Sequence, residues 1–104
     1  MFTFGLAMTL RPGAYEKYKL AHEQLWPAIA EGMRANGVNM AIYRDGDRLF
    51  VFASAPTELH WNKSREDPIL AAWDKQITQF VEADDKGGIA FRMLPKAFGF
   101  GEFR

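Results

Sequence analysis

Residues 38–54, Val-Asn-Met-Ala-Ile-Tyr-Arg-Asp-Gly-Asp-Arg-Leu-Phe-Val-Phe-Ala-Ser, decide the architecture of this chain. Asp45-Gly46-Asp47 separates two apolar stretches, a strong hairpin signal, so the spacing predicts strands over Val38–Arg44 and Arg48–Ser54. In the second strand Leu49, Phe50, Val51 and Phe52 are apolar at both parities. Successive side chains of a strand point to opposite faces, so this strand must be covered on both.

Upstream of the hairpin, Phe2, Phe4, Leu6, Met8 and Leu10 alternate with Thr3, Gly5, Ala7 and Thr9, which predicts a strand with one bulky face and one face of small residues. Arg11-Pro12-Gly13 ends it with turn chemistry. From Ala14 the period becomes helical. Tyr15, Tyr18, His22, Leu25, Trp26, Ile29 and Met33 fall within an arc of roughly 120° at 100° per residue, opposite Glu16, Lys17, Glu23, Gln24, Glu31 and Arg34. Asn36-Gly37 supplies a left-handed cap, and Pro27, inside the pattern, predicts a kink one turn from His22. Downstream, Pro56-Thr57 opens a weakly patterned stretch around Leu59 and Trp61. Asp67-Pro68 reads as an N-cap followed by proline at the first helical position, starting a helix through about Glu82 with Ile69, Ala72, Trp73, Gln76, Ile77 and Phe80 on one face. Residues 83–88 read as loop, Ile89–Leu94 as a weak last strand, and the tail from Pro95 is aromatic and glycine-rich.

The order βαββαβ predicts an α+β, ferredoxin-like fold, an antiparallel sheet with two helices on one face, in a single domain over residues 1–104. Helices on one face leave the second face of the doubly apolar strand open. In a chain this short the expected cover is another copy, giving a homodimer with its sheets face to face, a dimeric α+β barrel.

Composition narrows the function classes. The 13 Lys and Arg balance 13 Asp and Glu, so there is no basic excess to drive nucleic-acid binding. No apolar run approaches the ~20 residues of a membrane span, and the start MFTFGLAMTLRPG lacks the basic leader of a signal peptide. Cysteine is absent, which removes disulfides and thiolate chemistry. The expectation is a cytoplasmic protein working without a metal.

His22 is the first candidate for chemistry, because imidazole exchanges protons near neutral pH without special tuning. Tyr18 stands one turn before it and Trp26 one turn after. The same placement suits a packed core histidine. His22-Glu23 is one residue short of the zinc pattern His-Glu-x-x-His, since Trp26 occupies the second histidine position and His60 is distant in sequence. Lys96–Phe103 resembles an aromatic RNA-binding signature, but it lies at the C-terminus of a chain with no basic excess and reads better as dimer packing. Tyr18, Trp26, Trp61 and Trp73 are packing residues by default. Together with a histidine they also have the composition of a small polyol pocket, whose aromatic faces cover the C–H patches of a sugar.

Taken together, Phe4 to Met8 leading to Arg11-Pro12-Gly13, Tyr18-x-x-x-His22, Leu25-Trp26-Pro27, Asn39-Met40-Ala41-Ile42-Tyr43, Leu49-Phe50, Asp67-Pro68 and Trp73 resemble the L-rhamnose mutarotases nearly end to end. Tyr18-x-x-x-His22-x-x-x-Trp26-Pro27 is the most specific part. The resemblance implies a cofactor-free enzyme that interconverts the α and β anomers of a monosaccharide. It implies His22 as catalytic proton donor, with Tyr18 and Trp73 contacting the sugar beside Trp26. Two positions depart from that family. Met40 stands where a site tyrosine is usual, and Tyr43, three residues along the strand, should face the other way. Asp74 stands where a second tryptophan is usual, replacing an apolar surface with a carboxylate able to accept hydrogen bonds from sugar hydroxyls. These changes spare His22 and leave the sugar open, L-fucose being one candidate. A cofactor-less monooxygenase of the same dimeric fold and a non-catalytic sugar-binding homologue stay as alternatives.

Overall fold

The computed structural model describes residues 1–104. Strands β1 (Phe2–Thr9), β2 (Asn39–Asp45), β3 (Arg48–Ala55) and β4 (Phe91–Leu94) form one antiparallel sheet in the order β2-β3-β1-β4. Helices α1 (Tyr15–Glu23) and α2 (Pro27–Ala35) connect β1 to β2, and α3 (Glu58–Ser64) and α4 (Ile69–Ile77) connect β3 to β4. This is the α+β, ferredoxin-like topology expected, with the first predicted helix divided into α1 and α2, the second shortened to α4, and α3 added ahead of it.

Asp45-Gly46-Asp47 makes the hairpin, with Gly46 at φ 59° in the left-handed region such a turn requires. The register then assigns every side chain to a face. Met8 stands opposite Leu49, Leu6 opposite Val51 and Phe4 opposite Ala53. On the other side of β3, Ile42 pairs with Val51 and Met40 with Ala53. These residues share the face under the helices, where Leu49, Val51, Ala53 and Ala55 are all buried. Leu10, Tyr18, Ile29, Leu49, Leu70, Trp73, Ile77 and Val81 form the core, flanked by Met8, Leu25, Trp26 and Ile42.

The opposite face carries Phe50, Phe52 and Tyr43 over Gly5 and Ala7, and no helix covers it. Tyr43 and Phe52 meet edge to face at 6.1 Å and are 64% and 42% exposed. The Phe52 ring packs over β1 at Gly5, where an added Cβ would be in van der Waals contact with it at 3.4 Å.

Three expectations need correction. The first helix is not kinked at Pro27; it is broken. Proline lacks a donor N–H and drives the preceding residue out of the helical region. Trp26 accordingly sits at φ −62°, ψ 134°, and α2 restarts with Pro27 in its first turn. Second, the stretch around Leu59 and Trp61 is a helix, α3, started by Thr57, whose side-chain oxygen accepts the His60 N–H at 3.2 Å. Third, α4 ends at Ile77 rather than near Glu82, and the last strand starts at Phe91 rather than Ile89. Val81 leaves the helix to bridge Leu10, while the Arg11 N–H bonds the Phe80 carbonyl at 2.8 Å. That exchange of helical for β pairing ties the end of α4 to the end of β1. The N-cap position of α4 falls on Pro68 rather than Asp67, and the Asp67 carboxylate, one residue earlier, accepts the Ile69 N–H at 3.0 Å.

Candidate functional site

The site is assembled from two helices and the break between them. Tyr18 and His22 share one face of α1, four residues apart. Trp26 is the extended residue forced by Pro27, and Trp73 projects from the middle of α4. Their rings meet in a chain: Tyr18 to His22 at 4.3 Å, His22 to Trp73 at 5.3 Å and Trp73 to Trp26 at 5.2 Å, the last two edge to face. Such pairs contribute about 0.5–1.5 kcal/mol beyond area burial, enough to fix the orientation of the imidazole.

His22 Nδ1 lies 3.0 Å from the Tyr18 main-chain oxygen. A carbonyl can only accept, so Nδ1 carries the proton and donates, which leaves Nε2 as the nitrogen with a free lone pair in the neutral ring. Burial among aromatic rings disfavours the imidazolium and lowers the His22 pKa below its ordinary 6.5, partly opposed by the same main-chain bond, which favours the cation. The resting imidazole near neutral pH is therefore a base. Burial also pushes the Tyr18 phenol well above its ordinary 10, so it stays protonated and acts as a hydrogen-bond donor.

The other two candidates stand outside the ring cluster. Met40 is on the helix-facing side of β2, two residues from Ile42, and is 39% exposed. Tyr43 is on the opposite face, so its hydroxyl does not replace the missing one. The Asp74 carboxylate is taken by Arg65, whose Nη2 lies 3.2 Å from one oxygen and 3.5 Å from the other. The same guanidinium lies 5.8 Å from the Trp61 ring, which in turn meets Phe4 at 4.7 Å. Asp74 thus braces α4 against the end of α3, and sequence reasoning missed Arg65 because no local spacing marks a partner nine residues away. It also missed Arg44, whose guanidinium sits 3.8 Å over the Tyr15 ring and ties β2 to α1. No group of three or more His, Cys, Asp or Glu side chains is placed to hold a metal ion. No helix is long and apolar enough to cross a membrane.

A helix-borne histidine, held neutral among aromatic rings over a ferredoxin-like sheet, marks a small α+β protein whose site is able to exchange protons. A model of the L-rhamnose mutarotase family matches residues 3–99. The chain belongs to that family, whose members are carbohydrate isomerases. It is 30% identical over 101 residues to an L-rhamnose mutarotase of Escherichia coli O8 (strain IAI1), covering 94% of this chain and 97% of the relative. An L-rhamnose mutarotase of Listeria monocytogenes is 31% identical over 80 residues, 74% of this chain and 77% of its own. Among solved structures, the L-rhamnose mutarotase of Formosa agariphila superposes with a TM-score of 0.80 at 22% identity, covering 97% of this chain and all of that one. A putative antibiotic biosynthesis monooxygenase from Nitrosomonas europaea superposes at 0.65 with 11% identity, over 94% of this chain and all of that one, a likeness of fold alone.

Proposed function

We propose that this protein is a cofactor-free aldose mutarotase in which His22 moves the protons. The observation that carries the reading is the imidazole itself: neutral, clamped through Nδ1 to the Tyr18 carbonyl and walled by Tyr18, Trp26 and Trp73. In the first step Nε2 removes the proton of the anomeric hydroxyl. The bond from the anomeric carbon to the ring oxygen breaks, its electrons go to that oxygen, and the carbonyl forms. The ring oxygen is protonated by the Tyr18 hydroxyl or by a bound water. Rotation about the bond to the next carbon presents the other carbonyl face, and the reverse transfers close the opposite anomer. The aromatic walls hold the sugar through its C–H faces and contribute no charge, in keeping with an uncharged substrate.

The substrate in this reading is a deoxyhexose, L-rhamnose as in the relatives' names, or L-fucose, with Met40 and Asp74 as the positions that differ. A single-domain, cytoplasmic homodimer joined through the open sheet face completes the proposal, supported by the exposed Tyr43 and Phe52 beside Phe50. Anomer-exchange NMR across L-rhamnose, L-fucose and other aldoses is the test. Saturation transfer between anomeric protons should rise with enzyme for at least one sugar and vanish in His22→Ala. Enhancement with no sugar, or full activity in His22→Ala, would sink the reading; tight sugar binding without faster exchange would identify a binding protein instead.

A further inference from the structure

The open face of the sheet carries charge that proton transfer on an uncharged sugar leaves unused. Strand parity puts Arg48 and its cross-strand partner Thr9 on that face. Ala7 stands there as well, with Phe50 opposite on β3 and Arg92 opposite on β4. Ala7, Thr9, Arg48, Glu82, Ala90 and Arg92 line a cavity of about 240 Å³. It lies on the β1–β4 side of the face, whereas the exposed Tyr43 and Phe52 stand on β2 and β3.

The two arginines converge and neither has a partner. The Arg48 guanidinium is 5.4 Å from the Phe50 ring centroid, so its side chain leans along β3 toward the row of Ala7 and Arg92. The ion pairs of the chain are Lys19–Glu23, Arg34–Glu31 and Arg65–Asp74. Arg11, Arg34, Arg44 and Arg65 donate side-chain hydrogen bonds, and Arg48 and Arg92 donate none. Glu82 is held beside Thr9 by its N–H to the Thr9 carbonyl at 2.9 Å, and its carboxylate pairs with neither guanidinium. Asp45 pairs with Arg48 in the strand register from the β2 side, away from the cavity. Two positive charges against one negative leave the cavity a surplus that an anion relieves.

We infer that this cavity binds the phosphate group of a small, hydroxylated phosphate monoester. Its donors come from three strands, Arg48 on β3, Thr9 on β1 and Arg92 on β4, and so reach the anion from different directions. A tetrahedral oxyanion offers oxygens to all three, and a guanidinium fork matches phosphate bidentately. Ala7 and Ala90 leave the room. The Glu82 carboxylate repels a second anionic group and accepts a hydrogen bond from a hydroxyl, which favours a hydroxylated ester over free phosphate. The site is on the other side of the sheet from His22 and is independent of the mutarotase reading.

The test is an NMR titration of the amide signals with glycerol 3-phosphate, inorganic phosphate, glycerol and chloride at matched ionic strength. Glycerol 3-phosphate should shift Thr9, Arg48, Ala90 and Arg92 saturably, with a Kd of about 1 mM, as for a few exposed charge-assisted hydrogen bonds. Inorganic phosphate should bind more weakly, and glycerol and chloride should leave these signals in place. Both arginines are exposed, and thermal unfolding without phosphate checks that their variants fold. Arg48→Gln and Arg92→Gln should each weaken binding about tenfold, and Arg48→Lys should weaken it less. Glu82→Gln should tighten inorganic phosphate and erase the advantage of the ester. Shifts that fail to saturate, that chloride reproduces or that survive both glutamine substitutions overturn the site. No shift at all, as in a dimer that seals this corner, overturns it equally, and inorganic phosphate binding as tightly as the ester overturns the assignment to an ester.

Discussion

Replacing Trp73 tests the core and the chemistry of the site in one experiment. The ring is almost fully buried, belongs to the main core cluster and makes edge-to-face contacts with His22 and Trp26. Truncation to Ala removes the indole from a close-packed interior, which costs about 3–5 kcal/mol including the cavity left behind. A domain of this size has about 5–15 kcal/mol in total, so Trp73→Ala should fold with a much reduced margin. Trp73→Phe keeps an aromatic wall and is the fallback. Two readings are taken on each variant. Urea unfolding gives the stability loss, and NMR titration of the imidazole signals gives the His22 pKa. His60 is the only other histidine, so His22→Gln assigns the pair. Opening a cavity beside His22 readmits water and relieves the desolvation that holds its pKa down, so the pKa should climb toward 6.5 in Trp73→Ala and less in Trp73→Phe. A loss under 1 kcal/mol, or a His22 titration indifferent to both substitutions, refutes the packing and the electrostatic argument respectively.

Other outcomes follow from the same geometry. In the proposed mechanism neutral His22 is the base, so anomer exchange should rise with pH through a midpoint below 6.5 and stay level to pH 8; an acid limb centred above 6.5 contradicts the lowered pKa. Stability follows the same group: the folded state binds fewer protons than the unfolded chain between the lowered pKa and 6.5. Its contribution is full above 6.5 and falls as pH drops through that window, by at most about 1.4 kcal/mol per pH unit, and His22→Gln should abolish that part of the slope in urea titrations. Thr57→Ala removes the N-cap of α3 and should cost about 1 kcal/mol, roughly 4–8 °C in melting temperature, by calorimetry. Phe52→Asp puts a carboxylate in the middle of the open sheet face, and sedimentation should show a dimer becoming a monomer; a wild type already monomeric at micromolar concentration ends the dimer proposal.

The sheet and its faces were legible because strand alternation has a strict period. The doubly apolar parity of Leu49 to Phe52 foretold that β3 would have one face under the helices and one left to cover, and the register with β1 and β2 bears this out. The ring cluster was half legible. Tyr18, His22 and Trp26 share a helical spacing, but nothing local brings Trp73 to them across some fifty residues; that juxtaposition is tertiary. The helix breaks were misread for a different reason. Apolar periodicity runs on through Trp26 and Pro27 as though the helix were continuous, whereas the missing proline donor decides the backbone locally. The short α3 is hidden in the sequence because its seven residues carry too little periodic pattern, even though Thr57 is a helix start signal. Asp74 shows what position-by-position transfer leaves out: the carboxylate matched to a sugar contact also pairs with Arg65, which no correspondence supplied.

The clamp on His22 has a consequence for how this enzyme can vary. Where a histidine is oriented by a carboxylate, that carboxylate is a second gene-encoded target, and losing it scrambles the tautomer. Here the orienting oxygen belongs to the peptide group of Tyr18. Almost every residue type supplies that oxygen, so substitution at position 18 strips the phenol without releasing the imidazole. A mutational survey of the chain should therefore find His22 without a partner of equal severity, and the unit that fixes its proton is a single turn of helix, transferable to any scaffold that can bury one.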